Sequence, residues 1–189
     1  KDPERALDEN APALLTDLGF VPPKTRPDWV KDAAIYGIEN EPFRGERLAD
    51  IPRVVGPRMW QLGLNTCWYR PSETSTGRYC PIDYRTIEPK IGSADDYRAA
   101  NEAMHAQGLR VLQDLVPHGG GQLGFFLRGQ SCSMQAMTEN GDVLDVWSAD
   151  FANPRWRDYM RETCALYTGD WKTDGFRVDG REGFRKFRI

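Results

Sequence analysis

Leu109-Arg-Val-Leu-Gln-Asp-Leu-Val116 reads as a β-strand apolar enough to be covered on both faces, as strands inside a parallel sheet are. Just before it, Ser93-Ala-Asp-Asp96 is a capping box with Asp in place of the usual Glu. It opens a helix with Tyr97, Ala100 and Met104 on one face, closed by Gly108. The same alternation extends in both directions. Upstream, Ala33–Ile38 is a short apolar strand, and Ile51–Leu62 has helical content that Gly56-Pro57 divides into two short helices. Gly63 stands where the second helix ends, and Asn65–Tyr69 is a further strand. Downstream, Asn153-Pro154 is an N-cap followed by Pro at the first helical position. Trp156, Tyr159, Met160, Thr163 and Tyr167 then line one helical face, and Gly175–Val178 is a fourth strand. Short apolar strands alternating with amphipathic helices predict parallel βα units with right-handed crossovers. This α/β pattern by itself fits a doubly wound sheet or a (β/α)8 barrel. After the first strand stands Glu39-Asn-Glu-Pro42, acidic where a nucleotide-binding sheet needs a Gly-rich turn for a pyrophosphate.

The remainder of the sequence sets bounds. Of 189 residues, Lys plus Arg number 25 and Asp plus Glu 28, a net charge of −3, so there is no basic excess to suggest a nucleic-acid partner. Hydrophobic residues make up 40%, enough to bury a core. Mean hydropathy is −0.63, and no apolar run approaches the ~20 residues of a bilayer span, so no membrane partner is expected. The chain opens on Lys1 without a charged-then-apolar signal segment; its natural start is expected to lie elsewhere. Residues 1–32 are polar and punctuated by Pro3, Pro12, Pro22, Pro23 and Pro27. They read as a linker or N-terminal extension in which Leu14, Leu15 and Leu18 form one face of a short helix ending at Gly19. Residues 33–189 form the folded domain, with 117–149 as a long loop insertion. Cys67, Cys80, Cys132 and Cys164 form no Cys-x-x-Cys pair, and the only histidines are His105 and His118, which argues against a structural zinc site. Four reduced thiols are expected, with Cys67 and Cys164 in the core.

Polar residues gather just after each strand. Arg70, Glu73, Arg78, Tyr79 and Asp83 follow the second; Asp114 lies near the end of the third, with His118 following; Arg177 and Asp179 end the fourth. The C-terminal ends of parallel strands are where barrel and open-sheet enzymes carry their chemistry. Arg177 and Asp179 are two apart and leave the same face. A guanidinium beside a carboxyl favours the carboxylate, the form required of a nucleophile on an anomeric carbon. The same spacing also suits an Arg–Asp pair tying a strand end to a loop, and spacing alone leaves both readings open.

Gly175-Phe-Arg-Val-Asp179 resembles the fourth-strand motif of the α-amylase family of glycoside hydrolases. Gly77-Arg-Tyr-Cys-Pro-Ile-Asp-Tyr84, running on through Ile87-Glu-Pro and Gly92-Ser-Ala-Asp-Asp96, resembles the segment after that family's second strand. So does the helix carrying His105, with Gly108, before a strand that contains Asp114, and Phe151-Ala-Asn-Pro154 with Trp156 is similar to the approach to its third helix. The ordered set spans about residues 33–180. The resemblance implies a (β/α)8 barrel of which about the first four βα units are present, and a retaining glycosidase or transglycosidase acting on α-glucans. In that reading Asp179 is the nucleophile, Arg177 orients it and keeps it ionised, Tyr79 stacks on the sugar in the reacting subsite, and Asp114 supports the site. Tyr79 as a loop-packing aromatic and Asp114 as a strand-end residue bound to backbone N–H groups are the plainer alternatives.

Two departures from the family pattern stand out. The third-strand motif continues from its Asp to an Asn-His pair, but Asp114-Leu-Val-Pro-His-Gly119 puts His118 at the Asn position and Gly119 at the His position. The usual sugar-binding His is therefore missing and an Asn-dependent calcium site is in question, so no metal or other cofactor is assigned. His118 could serve instead as a donor to a sugar hydroxyl, or be an exposed loop residue. After Asp179 stands Gly180-Arg-Glu-Gly183 in place of the family's common pair. The family's general acid is a Glu on the fifth strand, whereas this sequence ends at Ile189, and Glu182 points into a loop. The chain is thus expected to be the first half of a catalytic domain, inactive alone and prone to self-association through its open sheet edges. Gly-rich at its start, the 117–149 loop is expected to form a compact lid with Phe125, Phe126 and Trp147. A noncatalytic carbohydrate-binding relative of the same fold, and another (β/α)8 hydrolase with a fourth-strand Asp, are the competing readings.

Overall fold

Four parallel strands carry the domain. β1 (Ile35–Ile38), β2 (Thr66–Tyr69), β5 (Arg110–Leu115) and β9 (Gly175–Val178) lie side by side in that order, which is also their order along the chain. The computed structural model describes residues 27–38, 47–75, 79, 81–117, 119–120, 133–137, 143–149 and 154–179. Of the unit Lys1–Ala33, the described part holds one 3-10 turn, Asp28–Asp32; the expected helix at Leu14–Leu18 lies outside the described residues. The unit 34–189 contains everything that follows.

Register across the sheet is unbroken. Gly37 pairs with Trp68, Trp68 with Leu112, and Leu112 with Gly175. Side chains alternate along a strand, so this row shares one face. The other face carries Cys67, Tyr69 and Val111, all buried. They pack with Met59, Met104, Leu109, Tyr167 and Trp171 beneath the helices α1 (Ile51–Gln61), α2 (Ala94–Ala106) and α3 (Pro154–Gly169). Tyr97 of α2 sits at the centre, edge-on to Tyr69 and Tyr167 at centroid distances of 5.9 and 5.7 Å. Such pairs add to the area they bury.

The helix ends follow the local chemistry. Ser93 Oγ accepts from the Asp96 N–H at 3.1 Å, and Asp96 Oδ2 accepts from the Ser93 N–H at 2.8 Å. Gly63 and Gly108 end α1 and α2 with φ of 70° and 75°, the left-handed conformation that glycine adopts without strain. Pro57, however, does not divide the first helix: α1 is continuous with Pro57 inside it. Pro57 is exposed, so the Arg53 carbonyl left without its donor can turn to water. Burial of Ile51, Gly56 and Met59 holds both halves of the helix to the same neighbours. A Cβ at Gly56 would stand 2.1 Å from Gln107 Oε1, and Gln107 Nε2 donates to the Pro52 carbonyl at 2.9 Å, so the small residue allows the α1–α2 contact.

Two further sheets lie beyond the plain βα pattern. β3 (Glu73–Ser75) and β4 (Pro81–Ile87) form an antiparallel hairpin after β2. Within the expected loop 117–149, β6 (Gly119–Gly120), β7 (Ser133–Met137) and β8 (Val143–Ala149) form an antiparallel sheet ordered β6-β8-β7. The 117–149 segment therefore has backbone pairing of its own; Trp147 lies in β8, in register with Gly120 and Gln135. Phe125 and Phe126 lie outside the described residues, as does the Asn153 N-cap. Cys67 is buried and Cys164 half-buried, both as free thiols; Cys80 and Cys132 are not among the described residues.

Candidate active site

Asp114 and Arg177 are register partners across β5 and β9, each one residue before the C-terminal end of its strand. Arg177 Nη1 donates to both oxygens of Asp114, at 3.1 and 3.2 Å, and also to Oδ1 of Asp179. One guanidinium nitrogen thus joins two carboxylates. Side-chain exposure separates their roles: Asp114 is 0% exposed, Asp179 23% and Arg177 40%. Asp114 anchors the cluster from below, and Asp179 is the carboxylate that solvent, or a ligand, can reach. Burial raises the Asp114 pKa above the usual carboxylate range, with Arg177 opposing the rise.

Tyr79 stands with this cluster. Burial raises its phenol pKa, as does the charge of Asp114; Arg70 and Arg177 act against the rise and Asp179 with it. The phenol is therefore within electrostatic reach of the residues the sequence singled out at β5 and β9. Four of the five expected site residues, Tyr79, Asp114, Arg177 and Asp179, come together at the C-terminal ends of the parallel strands. His118 lies outside the described residues.

The hairpin that bears Tyr79 is fastened to α3. Tyr159 Oη donates to Asp83 Oδ1 at 2.8 Å and accepts from the Tyr84 N–H at 3.1 Å. Arg85 donates to Glu162 Oε2 at 2.8 Å and to the Tyr159 carbonyl at 2.9 Å, and lies 4.1 Å from the centroid of the Tyr159 ring. Tyr84 Oη donates to the carbonyl of Val116, just past β5. None of these contacts had a local sequence signature beyond the helical spacing of Tyr159.

A second buried polar group lies behind Asp114. Gln113 Nε2 donates to the Asp114 carbonyl at 2.9 Å and to Glu73 Oε2 at 3.3 Å, while its Oε1 accepts from Tyr97 Oη at 2.8 Å. Glu73 is buried, and burial pushes its carboxyl up to about 7, with the charge of Asp114 adding to the rise. Sequence position identified Glu73 only as one polar residue after the second strand. Among the described residues no group of three or more His, Cys, Asp or Glu side chains is placed to hold a metal ion.

Comparison with known proteins finds relatives that match most of this chain. No protein-family profile matches the chain. An oligo-1,6-glucosidase of Parageobacillus thermoglucosidasius is 24% identical over 156 residues, covering 74% of this chain and 28% of that protein. A probable alpha-glucosidase of Rhizobium meliloti is 26% identical over 148 residues, covering 69% and 27%. The chain thus spans little more than a quarter of the length of these curated relatives. Among solved structures, a cyclomaltodextrinase matches with a TM-score of 0.71 at 19% identity, over 86% of this chain and 37% of its own. An alpha-amylase from Geobacillus thermoleovorans, complexed with acarbose, matches with a TM-score of 0.69 at 18% identity, over 85% and 44%. The fold is that of a (β/α)8 barrel, of which the described sheet is a part. The chain is thus similar to glycosidases of the α-amylase kind, over most of its own length and only part of theirs. No helix among the described residues is long and apolar enough to cross a membrane.

Proposed function

We propose that the protein is a retaining glycoside hydrolase or transglycosidase acting on α-linked glucans, with an oligo- or polysaccharide as its partner. The observation that carries this reading is the single Arg177 nitrogen shared between buried Asp114 and accessible Asp179. Asp179 Oδ attacks the anomeric carbon as the bond to the leaving oxygen breaks, giving a covalent glycosyl ester. Water, or a second sugar hydroxyl in transfer, then displaces the carboxylate. Arg177 fixes the direction of the Asp179 oxygen, Asp114 fixes Arg177, and Tyr79 offers its ring to the sugar. His118 is proposed, from its place in the sequence, as a donor to a sugar hydroxyl. The names of the relatives, oligo-1,6-glucosidase, alpha-glucosidase and maltogenic amylase, support an α-glucosidic substrate. Leaving-group departure requires a carboxylic acid as proton donor. Asp114 is bound to Arg177 through both oxygens, so a further carboxyl group must supply that proton. General acid assistance contributes about 10²–10⁴-fold.

The test is Asp179→Asn in the whole protein, assayed for sugar release from α-glucans and for glucan binding. Turnover is expected to vanish while binding is kept, because the amide preserves shape but cannot form the ester. Full activity in the variant would overturn the nucleophile assignment. An unaltered protein that binds glucan without turning it over would instead support a noncatalytic carbohydrate-binding relative.

A further inference from the structure

The register row Gly37–Trp68–Leu112–Gly175 lies two residues below Asp114 and Arg177, on the same sheet face. A large side chain stands beside a residue with none: a Cβ at Gly37 would come within 2.8 Å of Trp68 Cε3 and 3.2 Å of Cζ3. The Trp68 indole therefore lies over the bare backbone of β1. Above it, the Arg177 guanidinium carbon is 4.9 Å from the centroid of the Trp68 ring.

We propose that Gly37 and Trp68 are positioning residues for the reaction assigned to Asp179: Gly37 leaves the slot that seats the indole, and the indole face holds the Arg177 guanidinium where one nitrogen reaches both carboxylates. The proposal rests on the glycosidase reading. An arginine side chain is long and rich in rotamers, and the Asp114 bonds fix only one of its nitrogens. A π-face beneath the guanidinium removes rocking about that nitrogen, and Trp is the strongest such platform. Cation–π attraction acts on the guanidinium charge and does not use the Nη1 hydrogen bonds made to the carboxylates. Trp68 touches neither substrate nor reacting atoms in this scheme and acts through the Arg177–Asp114 pair, its indole also bearing on the Asp114 carboxylate.

The experiment compares Trp68→Leu, Trp68→Tyr and Gly37→Ala with Asp179→Asn in the whole protein. Trp68→Leu is expected to lower kcat roughly two- to thirty-fold, the range a cation–π contact supports, with KM nearly unchanged. Trp68→Tyr restores part of the loss, and Gly37→Ala falls between because it displaces the indole without removing it. The Arg177 side-chain N–H resonances are expected to carry an upfield ring-current shift that Trp68→Leu abolishes. That spectrum is recorded on protein whose unfolding transition remains cooperative. A ring-current shift absent from the unaltered protein, or an unchanged kcat in folded Trp68→Leu, would overturn the positioning role. If Asp179→Asn keeps its activity, the glycosidase reading fails first and takes this proposal with it, a result distinct from loss in Asp179→Asn without loss in Trp68→Leu.

Discussion

Arg177 faces Asp114 directly across the β5–β9 ladder and hydrogen-bonds both of its oxygens. The contact is built into strand register, so no loop has to be ordered to make it. It places a cation against a fully buried carboxylate. Truncating one partner of such a pair leaves an uncompensated charge.

Arg177→Met is therefore expected to destabilise the fold by about 2–4 kcal/mol near neutral pH, somewhat less than a fully buried pair would give because Arg177 is partly exposed. The loss shrinks as pH falls. The Asp114 carboxyl already has a raised pKa in the fold, and removing Arg177 raises it further. The protonated form then folds without penalty, and the deficit develops as pH rises through the folded value. Urea unfolding of both proteins across pH 4–8 checks this; a pH-independent deficit would contradict it.

Glu73 gives the same sign without a mutation at the cluster. Its folded pKa is raised to about 7 from a reference of 4.5, so the folded state holds the proton more tightly. The stability associated with that proton is complete below the unfolded pKa and is lost as pH rises through 7. Glu73→Gln removes the titration. The variant is expected to match the unaltered protein at pH 4 and to exceed it by up to about 3 kcal/mol at pH 8, if the amide keeps the Gln113 contact. Parallel stability curves would refute the assignment.

Tyr159→Phe removes the hydroxyl shared by Asp83 and the Tyr84 N–H. One hydrogen bond to the buried Asp83 carboxylate and one from the Tyr84 N–H are lost, so destabilisation of about 1–3 kcal/mol is expected. The hairpin that carries Tyr79 loosens with it. Glucan affinity in the whole protein should weaken more than kcat falls. Thermal unfolding and a KM-against-kcat comparison test the two halves separately.

The polypeptide of 189 residues is expected to self-associate. Among the described residues β1 and β9 are the sheet edges, and Ile35 and Val178 on them are 53% and 48% exposed. Apolar side chains exposed on sheet edges favour pairing with other chains. Light scattering should detect oligomers or aggregates, and Ile35→Lys with Val178→Lys should reduce them. A monodisperse monomer in the unaltered chain would count against the prediction.

What could be read from the sequence was local or periodic. The Ser93–Asp96 box, the glycines at 63 and 108 and the apolar faces of α2 and α3 each depend on neighbours within a few residues, and each formed as expected. The spacing of Arg177 and Asp179 gave a shared face by the strand period alone, and the structure joins them. The β3–β4 hairpin was not legible, because its register shifts twice within three residues and β4 begins on a proline. Nor was the continuity of α1 through Pro57, which depends on tertiary burial of Ile51 and Met59. The raised pKa of Glu73 comes from burial beneath residues distant in sequence, and no pattern around residue 73 encodes that.

The fastening of the β3–β4 hairpin also bears on the order of assembly. Asp83, Tyr84 and Arg85 find their partners on α3 at sequence separations of 74 to 78 residues. Closing so long a loop is slow compared with forming a helix or a local turn. During synthesis from the N-terminus, β1, α1, β2, α2 and β5 can emerge and pack before α3 exists, leaving the hairpin without its anchor. The rim that presents Tyr79 therefore takes its final shape late. In the interval its tyrosines lack their cover, which makes this hairpin the part of the nascent chain most open to a chaperone or a protease.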